Sequence, residues 1–332
     1  MGIKEQSIKL FNRFGYKYKI KILELYYSKM AHEFLKELEG DIPAIYRIAI
    51  PTYNRPKIFK EKTLALLQKS NVSMNDIDVF VENEEQLKLY SHELIEDYPN
   101  LQYIITHTKG ICEKRNYVRY YYAVENYNKY VFNMDDDLDI IMDKDDNQFT
   151  DLHNFITSGF TECERVGATM FGISPLHNPF FLRNNISYRL NYIIGAFFGV
   201  IHEEEGELPY MTELEHYEDF DFCLYHYFKD KKLVRYNHLG LKTKYFEPTG
   251  GITFQMGGLQ ARHDYMNSHS QYMVDKWGED AVKITKNKWG TGLKLNHNHT
   301  LFFQHPRLDL IVCVYLLSYF PFVNLVHYYI GS

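Results

Sequence analysis

The sequence predicts an α/β protein in which helices flank a mixed, mostly parallel sheet. From residue 46 onward, short apolar segments alternate with amphipathic segments of helical length, as strands and helices do in such sheets. Polar and acidic residues stand where the apolar segments end, and ligands of these sheets bind beyond the carboxyl ends of the strands. Hydrophobic residues make up 45% of the 332 residues, which is enough to fill one continuous core.

The predicted elements follow one another without an internal repeat or a low-complexity linker. In order they are strand YRIAIPTYN, helix EKTLALLQKS, strand IDVFVEN, helix EEQLKLYSHEL, strand LQYIITHT, helix EKRNYVRYYYAVEN and strand KYVFNMDD. After residue 150 come helix DLHNFITSGFTECERVG, strand ATMFGIS, the apolar segment NYIIGAFFGVIH, a helix within HYEDFDFCLYHYFKD and strand LVRYNHLGLKTKYF. The segment from residue 250 onward is rich in Gly, polar and aromatic residues. We expect one domain over residues 45–306.

Two flanking segments differ from this domain. Residues 1–44 have the spacing of one or two amphipathic helices and form an N-terminal extension. Residues 307–332 form a hydrophobic tail, and residues 310–330 contain no Asp, Glu, Lys or Arg over about the length that spans a bilayer. Pro321, Asn324 and His327 count against a spanning helix. Membrane contact and a buried terminal helix or hairpin both stay open.

Charge and cysteine content narrow the function classes. The net charge is −6, from 37 basic and 43 acidic residues, which lends no support to binding nucleic acid through its phosphates. The four cysteines are scattered, a pattern that argues against a zinc ribbon or a disulfide framework and fits a reducing compartment. We see no cleavable signal peptide and expect an intracellular, cytoplasmic protein, with the tail as the candidate membrane attachment.

An acidic triplet follows the apolar segment YVFNM. Asp135, Asp136 and Asp137 repel one another, so the fold must offset that cost, and a hard divalent cation such as Mg²⁺ or Mn²⁺ would do so. The D-x-D spacing predicts that Asp135 and Asp137 point to the same side while Asp136 turns away or serves separately. The alternative is a solvated acidic turn at the surface.

The segment IAIPTYNRP at residues 48–56 resembles the opening of the GT-A fold glycosyltransferases, which have a Rossmann-like sheet. The resemblance implies that this turn holds the base and ribose of a nucleotide-sugar donor. The donor-binding residues implied are Pro51, Thr52, Tyr53, Asn54, Arg55, Glu82, Arg115, Asn116, Asp135 and Asp136. Lys109-Gly110 and Lys114-Arg115-Asn116 are similar to the stretch that opens a helix near the nucleotide in this family. An ordinary strand-to-helix turn is the alternative for the first segment, and a basic, solvated first turn of a helix is the alternative for the second.

The same resemblance assigns chemistry to three more residues. Glu218-Asp219 in HYEDFDF matches the acidic pair whose carboxylate removes the acceptor proton in these enzymes. Carboxylates that cap a helix are the alternative. His263 has the spacing of a third metal ligand beside Asp135 and Asp137, although a lone histidine is more often structural. Gly195 and Gly199 either let substrate approach the backbone or only pack tightly.

The second strand departs from the family pattern, because VFVENEEQ replaces the usual acidic turn. Glu82 or Asn83 takes that position, so the identity of the recognised base is uncertain. The segment NSHSQYMVDKWGEDAVKITKNKWGTGLKLN is similar to a branch associated with modified-base DNA, against which the net acidity counts.

We therefore expect a metal-dependent, inverting glycosyltransferase of the hexosyltransferase type that uses Mn²⁺ or Mg²⁺. Its donor would be a nucleotide-sugar, in the first place a UDP-sugar. Its acceptor would be a glycan hydroxyl or a hydroxymethylated base in DNA. A sugar nucleotidyltransferase is the first alternative, and its glycine-rich loop is missing from PTYNRP. A non-catalytic, membrane-tethered binding module is the second.

Overall fold

The computed structural model describes residues 46–70, 72–242, 257–287 and 290–299. The predicted N-terminal extension, residues 1–44, and the hydrophobic tail, residues 307–332, lie outside the described residues. Both domain boundaries therefore stay predictions. Within the described part of the chain, no helix combines the length and the apolar character needed to cross a bilayer.

In the described part of the chain, eleven strands form one large sheet and one hairpin. The strands are β1 (Arg47–Pro51), β2 (Ile77–Val81), β3 (Gln102–Ile105), β4 (Tyr130–Met134), β5 (Ile140–Asp143), β6 (Met170–Ser174), β7 (Ile186–Ser187), β8 (Phe197–Ile201), β9 (Val234–Lys242), β10 (Val282–Asn287) and β11 (Gly290–Leu295). The large sheet has nine strands in the order β3-β2-β1-β4-β8-β6-β9-β5, and β7 pairs with β9. Strands β10 and β11 pair separately and antiparallel.

Six of the nine strands point in one direction. Strands β1 to β4 pair in parallel. Strand β8 runs antiparallel between β4 and β6, which restores the common direction in β6 and β9, whereas β5 and β7 oppose it. The predicted class, an α/β fold with a mixed, mostly parallel sheet, is confirmed. The carboxyl ends of the six strands lie at one margin of the sheet, which we call the carboxyl edge.

Helices connect the strands and cover the sheet. They are α1 (Pro56–Phe59), which continues through a π-helical turn (Lys60–Leu64) into α2 (Ala65–Gln68), then α3 (Glu84–Leu94), α4 (Gly110–Tyr120) with a second π-helical turn (Tyr121–Glu125), α5 (Leu152–Val166), α6 (Glu218–Asp230) and α7 (Leu259–Trp277). Short 3₁₀ turns occupy Met74–Asp76 and Pro179–Phe181. Local chemistry sets several ends: Pro56 starts α1, and the Asn83 side chain accepts the Gln86 N–H at the start of α3.

Strand β2 is buried on both faces of the sheet. All five residues of β2 are buried, so four of them are apolar, and the one acid, Asp78, is paired with Arg47. Phe171 lies at the centre of an aromatic cluster, and a Cβ added at Gly159 or Gly199 would meet its ring at 2.1 or 2.0 Å. Gly199 therefore serves tight packing, one of the two roles that its sequence position allowed.

Candidate functional site

The turn after β1 and the turn after β4 meet at the carboxyl edge through one arginine. Arg55 donates from Nε to Asp136 Oδ2 at 2.9 Å and makes a close ion pair with the second oxygen of that carboxylate. Its Nη1 donates to Asp137 Oδ2 at 2.9 Å. Because Asp136 and Asp137 lie in a turn rather than in the strand, the alternation expected for D-x-D does not separate them, and Arg55 holds both.

Asp136 is an anchor of the fold. Its side chain has no solvent exposure, and it also accepts a hydrogen bond from the Thr52 hydroxyl. Thr52 in turn lies 2.5 Å from the Tyr90 hydroxyl, which accepts the Arg55 backbone N–H at 2.9 Å. We call Arg55, Asp136, Asp137, Thr52 and Tyr90 the Arg55 cluster. It offsets much of the repulsion in the acidic triplet without a metal ion.

A second arginine joins the triplet to the acidic pair. Arg115, on α4, donates from Nη2 to Asp135 Oδ1 at 2.6 Å and forms a close ion pair with Glu218 at the start of α6. Arg115 is 7% exposed, so this guanidinium is nearly buried between two carboxylates. We call Arg115, Asp135, Glu218 and Asp219 the Arg115 cluster. The sequence separates Arg115 from Glu218 by 103 residues, and the fold brings them together.

Asp219 is the carboxylate held next to this pair. Tyr192 donates a hydrogen bond to Asp219 Oδ2, and the Phe220 N–H donates to Oδ1 at 2.8 Å. Burial raises the pKa of Asp219, whereas the Tyr192 hydrogen bond and the Arg115 charge lower it. A side chain at Gly195 would fill this space, since its Cβ would lie 2.5 Å from Arg115 Nη1 and 2.8 Å from the Asp219 Cβ.

The residue before the acidic pair has a left-handed backbone. Tyr217 has φ +79°, which bulky residues rarely adopt. Its ring is buried, and its hydroxyl donates to the Met266 carbonyl on α7 at 3.4 Å. The direction in which α6 leaves the loop is therefore fixed by tertiary contacts rather than by a glycine.

Burial shifts the pKa of two further groups at this edge. Asp137 is 19% exposed, and burial followed by repulsion from Asp136 raises its pKa to about 7. Burial lowers the pKa of Lys114 to about 8, against the attraction of Glu82. Lys114 donates from Nζ to the Thr52 carbonyl at 2.8 Å and lies 5.5 Å from the centre of the Tyr53 ring.

Other predicted donor residues border the same edge. Pro51 ends β1, and Asn54 has φ +56° with its N–H donated to Gln86 Oε1 at 2.9 Å. Glu82 follows β2, and its carbonyl accepts the His107 N–H at 2.8 Å. Donor binding by these residues stays a prediction.

Asn116 and the start of α4 bind protein groups. The Asn116 amide donates to the Thr212 carbonyl at 2.7 Å and accepts the Thr212 N–H at 3.1 Å. The N–H groups of Ile111 and Cys112 donate to the Glu215 carboxylate at 3.1 and 3.3 Å. This helix opening, expected to attract the charge of the nucleotide, is occupied by Glu215. The contacts tie the loop before α6 to α4.

His263 lies on α7, one residue after Arg262, which contacts His216 Nδ1 at 3.3 Å. Among the described residues, no group of three or more His, Cys, Asp or Glu side chains is arranged to hold a metal ion. His263 as a third metal ligand beside Asp135 and Asp137 stays a prediction. Asp135 and Asp137 are 27% and 19% exposed, and two such carboxylates fit an Mg²⁺ or Mn²⁺ ion that substrate phosphates also bind.

Sequence reasoning missed Tyr192, Tyr90 and Glu215 and gave Lys114 no separate role. Tyr192 stands three residues before Gly195, and the glycine in an apolar run was the signal that a side chain nearby needs space. Tyr90 carried no such signal, because the pattern of an amphipathic helix predicts only that a tyrosine at this position is a core residue.

No protein-family model and no curated protein sequence matches this chain. Similarity appears among solved structures. TarS residues 1–349 from S. aureus is 14% identical with a TM-score of 0.45, over 69% of this chain and 65% of that one. Its complex with UDP-GlcNAc gives 14% and 0.46, over 69% and 66%. The mannosyltransferase PcManGT from Pyrobaculum calidifontis, in complex with GDP-Man and Mn²⁺, gives 12% and 0.46, over 76% and 71%.

The chain thus spans just under two thirds of the TarS fragment's length. At this level of similarity the function has to follow from the residues of the site themselves.

Proposed function

We propose that the protein is a glycosyltransferase that moves a sugar from a nucleotide-sugar to an acceptor hydroxyl at the carboxyl edge. The observation that carries the proposal is Arg115, which bridges Asp135 of the triplet and Glu218 of the acidic pair. Residues from four separate segments, the turns after β1 and β4, α4 and the start of α6, converge on this edge. A purely structural acidic turn has no need of a second acidic pair beside it.

Asp219 is the proposed base. Its raised pKa, caused by burial, brings the carboxylate closer to the pKa that proton abstraction near neutral pH requires. Tyr192 and the Phe220 N–H orient the two carboxylate oxygens, and Glu218, paired with Arg115, fixes the start of α6. Inversion at the anomeric carbon belongs to this proposal, since the base would act on a hydroxyl that attacks opposite the departing nucleotide.

The donor would lie between the turn after β1 and the triplet. Tyr53 offers an aromatic face for a planar base, and Lys114 and Arg55 supply positive charge there. Asp137 and Asp135 would hold a divalent ion, which when bound supplies positive charge that stabilises the leaving diphosphate. His263 as a further ligand stays a prediction, as do a UDP-sugar as donor and a glycan or a modified base as acceptor.

A nucleotidyltransferase fits the site less well. Such enzymes surround the nucleotide phosphates with a glycine-rich loop after the first strand. Here Arg55 and Thr52 of that turn bind Asp136 instead, and the turn contains no glycine. We therefore rank this function second.

The test is incubation of the purified chain with a panel of UDP-, GDP- and TDP-sugars, with Mn²⁺ or Mg²⁺ present. We expect slow release of the nucleoside diphosphate from one donor even without acceptor. Release of pyrophosphate from a nucleoside triphosphate and a sugar phosphate would instead favour the nucleotidyltransferase.

Asp219→Asn sharpens this test. The amide cannot accept the proton, so turnover should fall by about 10²- to 10⁴-fold while donor affinity changes less than about threefold. Asp97→Asn is the matched control, because Asp97 is an exposed partner of Lys60. Full activity of Asp219→Asn would refute the assignment of the base.

A further inference from the structure

A cavity lies away from the carboxyl edge. It is lined by residues of α4, the end of β8, the loop that follows β8, and α6, and its volume is about 40 Å³. The lining includes Arg119, Ala123, His202, Phe222 and Lys229. We call this space the Arg119 cavity.

The Arg119 cavity is near the opposite margin of the sheet. Ile201, at the end of β8, pairs with Tyr130 at the start of β4, whereas the acidic triplet follows the end of β4. Arg119 is one helical turn after Arg115 on α4. The cavity therefore shares a helix with the proposed sugar-transfer site but does not share its lining.

Arg119 is a buried charge without a carboxylate partner. It is 5% exposed, and its guanidinium stacks 3.8 Å from the centre of the Phe222 ring. Nη1 donates to Asn116 Oδ1 at 2.9 Å, but among the described residues no carboxylate oxygen lies within 4.0 Å. Burial lowers the pKa of Arg119 to about 10, so the group stays charged at neutral pH.

This pattern differs from that of Arg55 and Arg115. Arg55 and Arg115 each bridge two carboxylates, which compensates the cost of removing a guanidinium from water. For Arg119, no acceptor in the described part of the chain reaches Nε or Nη2, and neither atom is sealed from solvent. Two donors of the fork are therefore available on the side of the cavity, in the geometry that binds an oxyanion through two oxygens.

The surroundings restrict what can enter. Lys229 forms a close ion pair with Glu203, and Glu204 and Glu207 are exposed on the lining. These carboxylates disfavour a large polyanion such as a nucleic acid. Burial lowers the pKa of His202 to about 4, so at neutral pH its ring is uncharged and can donate one N–H. The volume suits a group of a few heavy atoms.

We propose that the Arg119 cavity is a binding site for a small oxyanion, of the phosphate or carboxylate class, held by the Arg119 guanidinium. The bound anion would provide a counter-charge in direct contact with the guanidinium, which Asp221 supplies only from a greater distance. It would also fix the second half of α4, the helix that carries Arg115. The proposal does not depend on the function proposed for the carboxyl edge.

The test is thermal unfolding of the full chain in phosphate or in acetate, each titrated at constant ionic strength set with NaCl. We expect a saturable rise in Tm of about 2–5 °C with at least one of the two anions, because a ligand of the folded state stabilises it by mass action. A rise in Tm with phosphate alone would indicate that the natural ligand carries a phosphate group. A rise with acetate alone would indicate a carboxylate.

Arg119→Met should abolish that rise. Arg165→Met is the matched control, because it removes the same charge from an exposed arginine that pairs with Glu162. Ala123→Val keeps Arg119 but fills part of the cavity, so it should lower the affinity for the anion at least tenfold. This variant tests the proposal even if Arg119→Met folds poorly. A rise that persists in Ala123→Val and Arg119→Met, or no rise with either anion in the natural chain, would overturn the proposal.

Discussion

The Arg55 cluster and the Arg115 cluster use the same pairing for different ends. In each, one guanidinium bridges two carboxylates at the carboxyl edge. Asp136 in the Arg55 cluster has no exposure and is further bound by Thr52, whereas Asp135 in the Arg115 cluster is 27% exposed. The first cluster joins two turns, and the second leaves part of the Asp135 carboxylate accessible to solvent.

The difference shows how one acidic triplet can serve fold and function together. A carboxylate whose oxygens are all bound by the protein contributes rigidity, while one that keeps an accessible oxygen can still meet a ligand. The three consecutive aspartates therefore have separate roles, and substitutions at neighbouring positions should affect different measured quantities.

Asp136→Asn should have the largest effect. It leaves Arg55 buried with a reduced counter-charge, and breaking a buried ion pair in this way costs about 3–5 kcal/mol. The free energy of unfolding, measured in urea, gives the result. Asp139→Asn is the control, because Asp139 is 29% exposed and pairs with Lys62, so its loss should cost less than about 1 kcal/mol. If both variants lose the same free energy of unfolding, Asp136 is not an anchor of the fold.

Lysine substitutions at the two arginines separate the clusters directly. Lysine keeps the charge but cannot bridge two carboxylates with a planar fork. We expect Arg55→Lys to lower the free energy of unfolding by about 2 kcal/mol and Arg115→Lys to lower kcat by about 10- to 100-fold with a smaller loss of stability. If Arg115→Lys lowers the free energy of unfolding but leaves kcat unchanged, the Arg115 cluster has a structural role like that of the Arg55 cluster.

The pH dependence of Mn²⁺ binding tests Asp137. Burial raises the pKa of this carboxyl to about 7, so protons and metal ions compete below that pH. The apparent Mn²⁺ affinity, measured by calorimetry, should rise about tenfold per pH unit up to about pH 7 and then level off. Asp137→Asn should bind weakly at every pH. A flat profile in the natural chain would exclude Asp137 as the ligand.

The same shift has a consequence for stability in the absence of metal. A carboxyl with a raised pKa in the folded state binds its proton more tightly there than in the unfolded chain. Its contribution to the free energy of unfolding is therefore largest below about pH 4 and is lost as the pH rises to about 7.

Tyr192→Phe should have the smallest effect of the series. The Tyr192 hydrogen bond lowers the pKa of Asp219, so its removal should raise that pKa and move the acidic limb of kcat/KM to higher pH. We expect kcat at the optimum to fall less than about tenfold. Tyr188→Phe is the control, since its hydroxyl binds Glu162 on an exposed surface. If the acidic limb of the kcat/KM profile does not move, Tyr192 does not influence the pKa of the catalytic base.

The first half of the fold was predictable because each strand there is a local signal. Strands β1 to β4 are short apolar runs with polar residues at their ends, and their parallel pairing follows from the helices between them. The second half was harder. Strand β8 lies within an apolar run with two glycines, and the length of β5 is only four residues. Helix α7, rich in polar residues, showed no clear apolar face.

The site was predictable by position but not by contact. The sequence placed the triplet, the turn after β1 and the acidic pair at strand and helix ends, which meet in any such sheet. It could not show that arginines 81 and 103 residues away neutralise these acids, because ion pairing across such distances depends on tertiary packing. Arg55 and Arg115 thus supply counter-charge to the triplet that the sequence alone did not assign.

The left-handed Tyr217 places a local conformational cost immediately before the proposed base. A bulky residue in this region costs roughly 1–3 kcal/mol, and the burial of its ring against the body of the protein sustains it. Contacts within the protein therefore hold this part of the loop in its conformation. When donor and acceptor bind, little of their binding free energy would be needed to arrange the carboxylates. More of that binding free energy could then lower the barrier of the reaction.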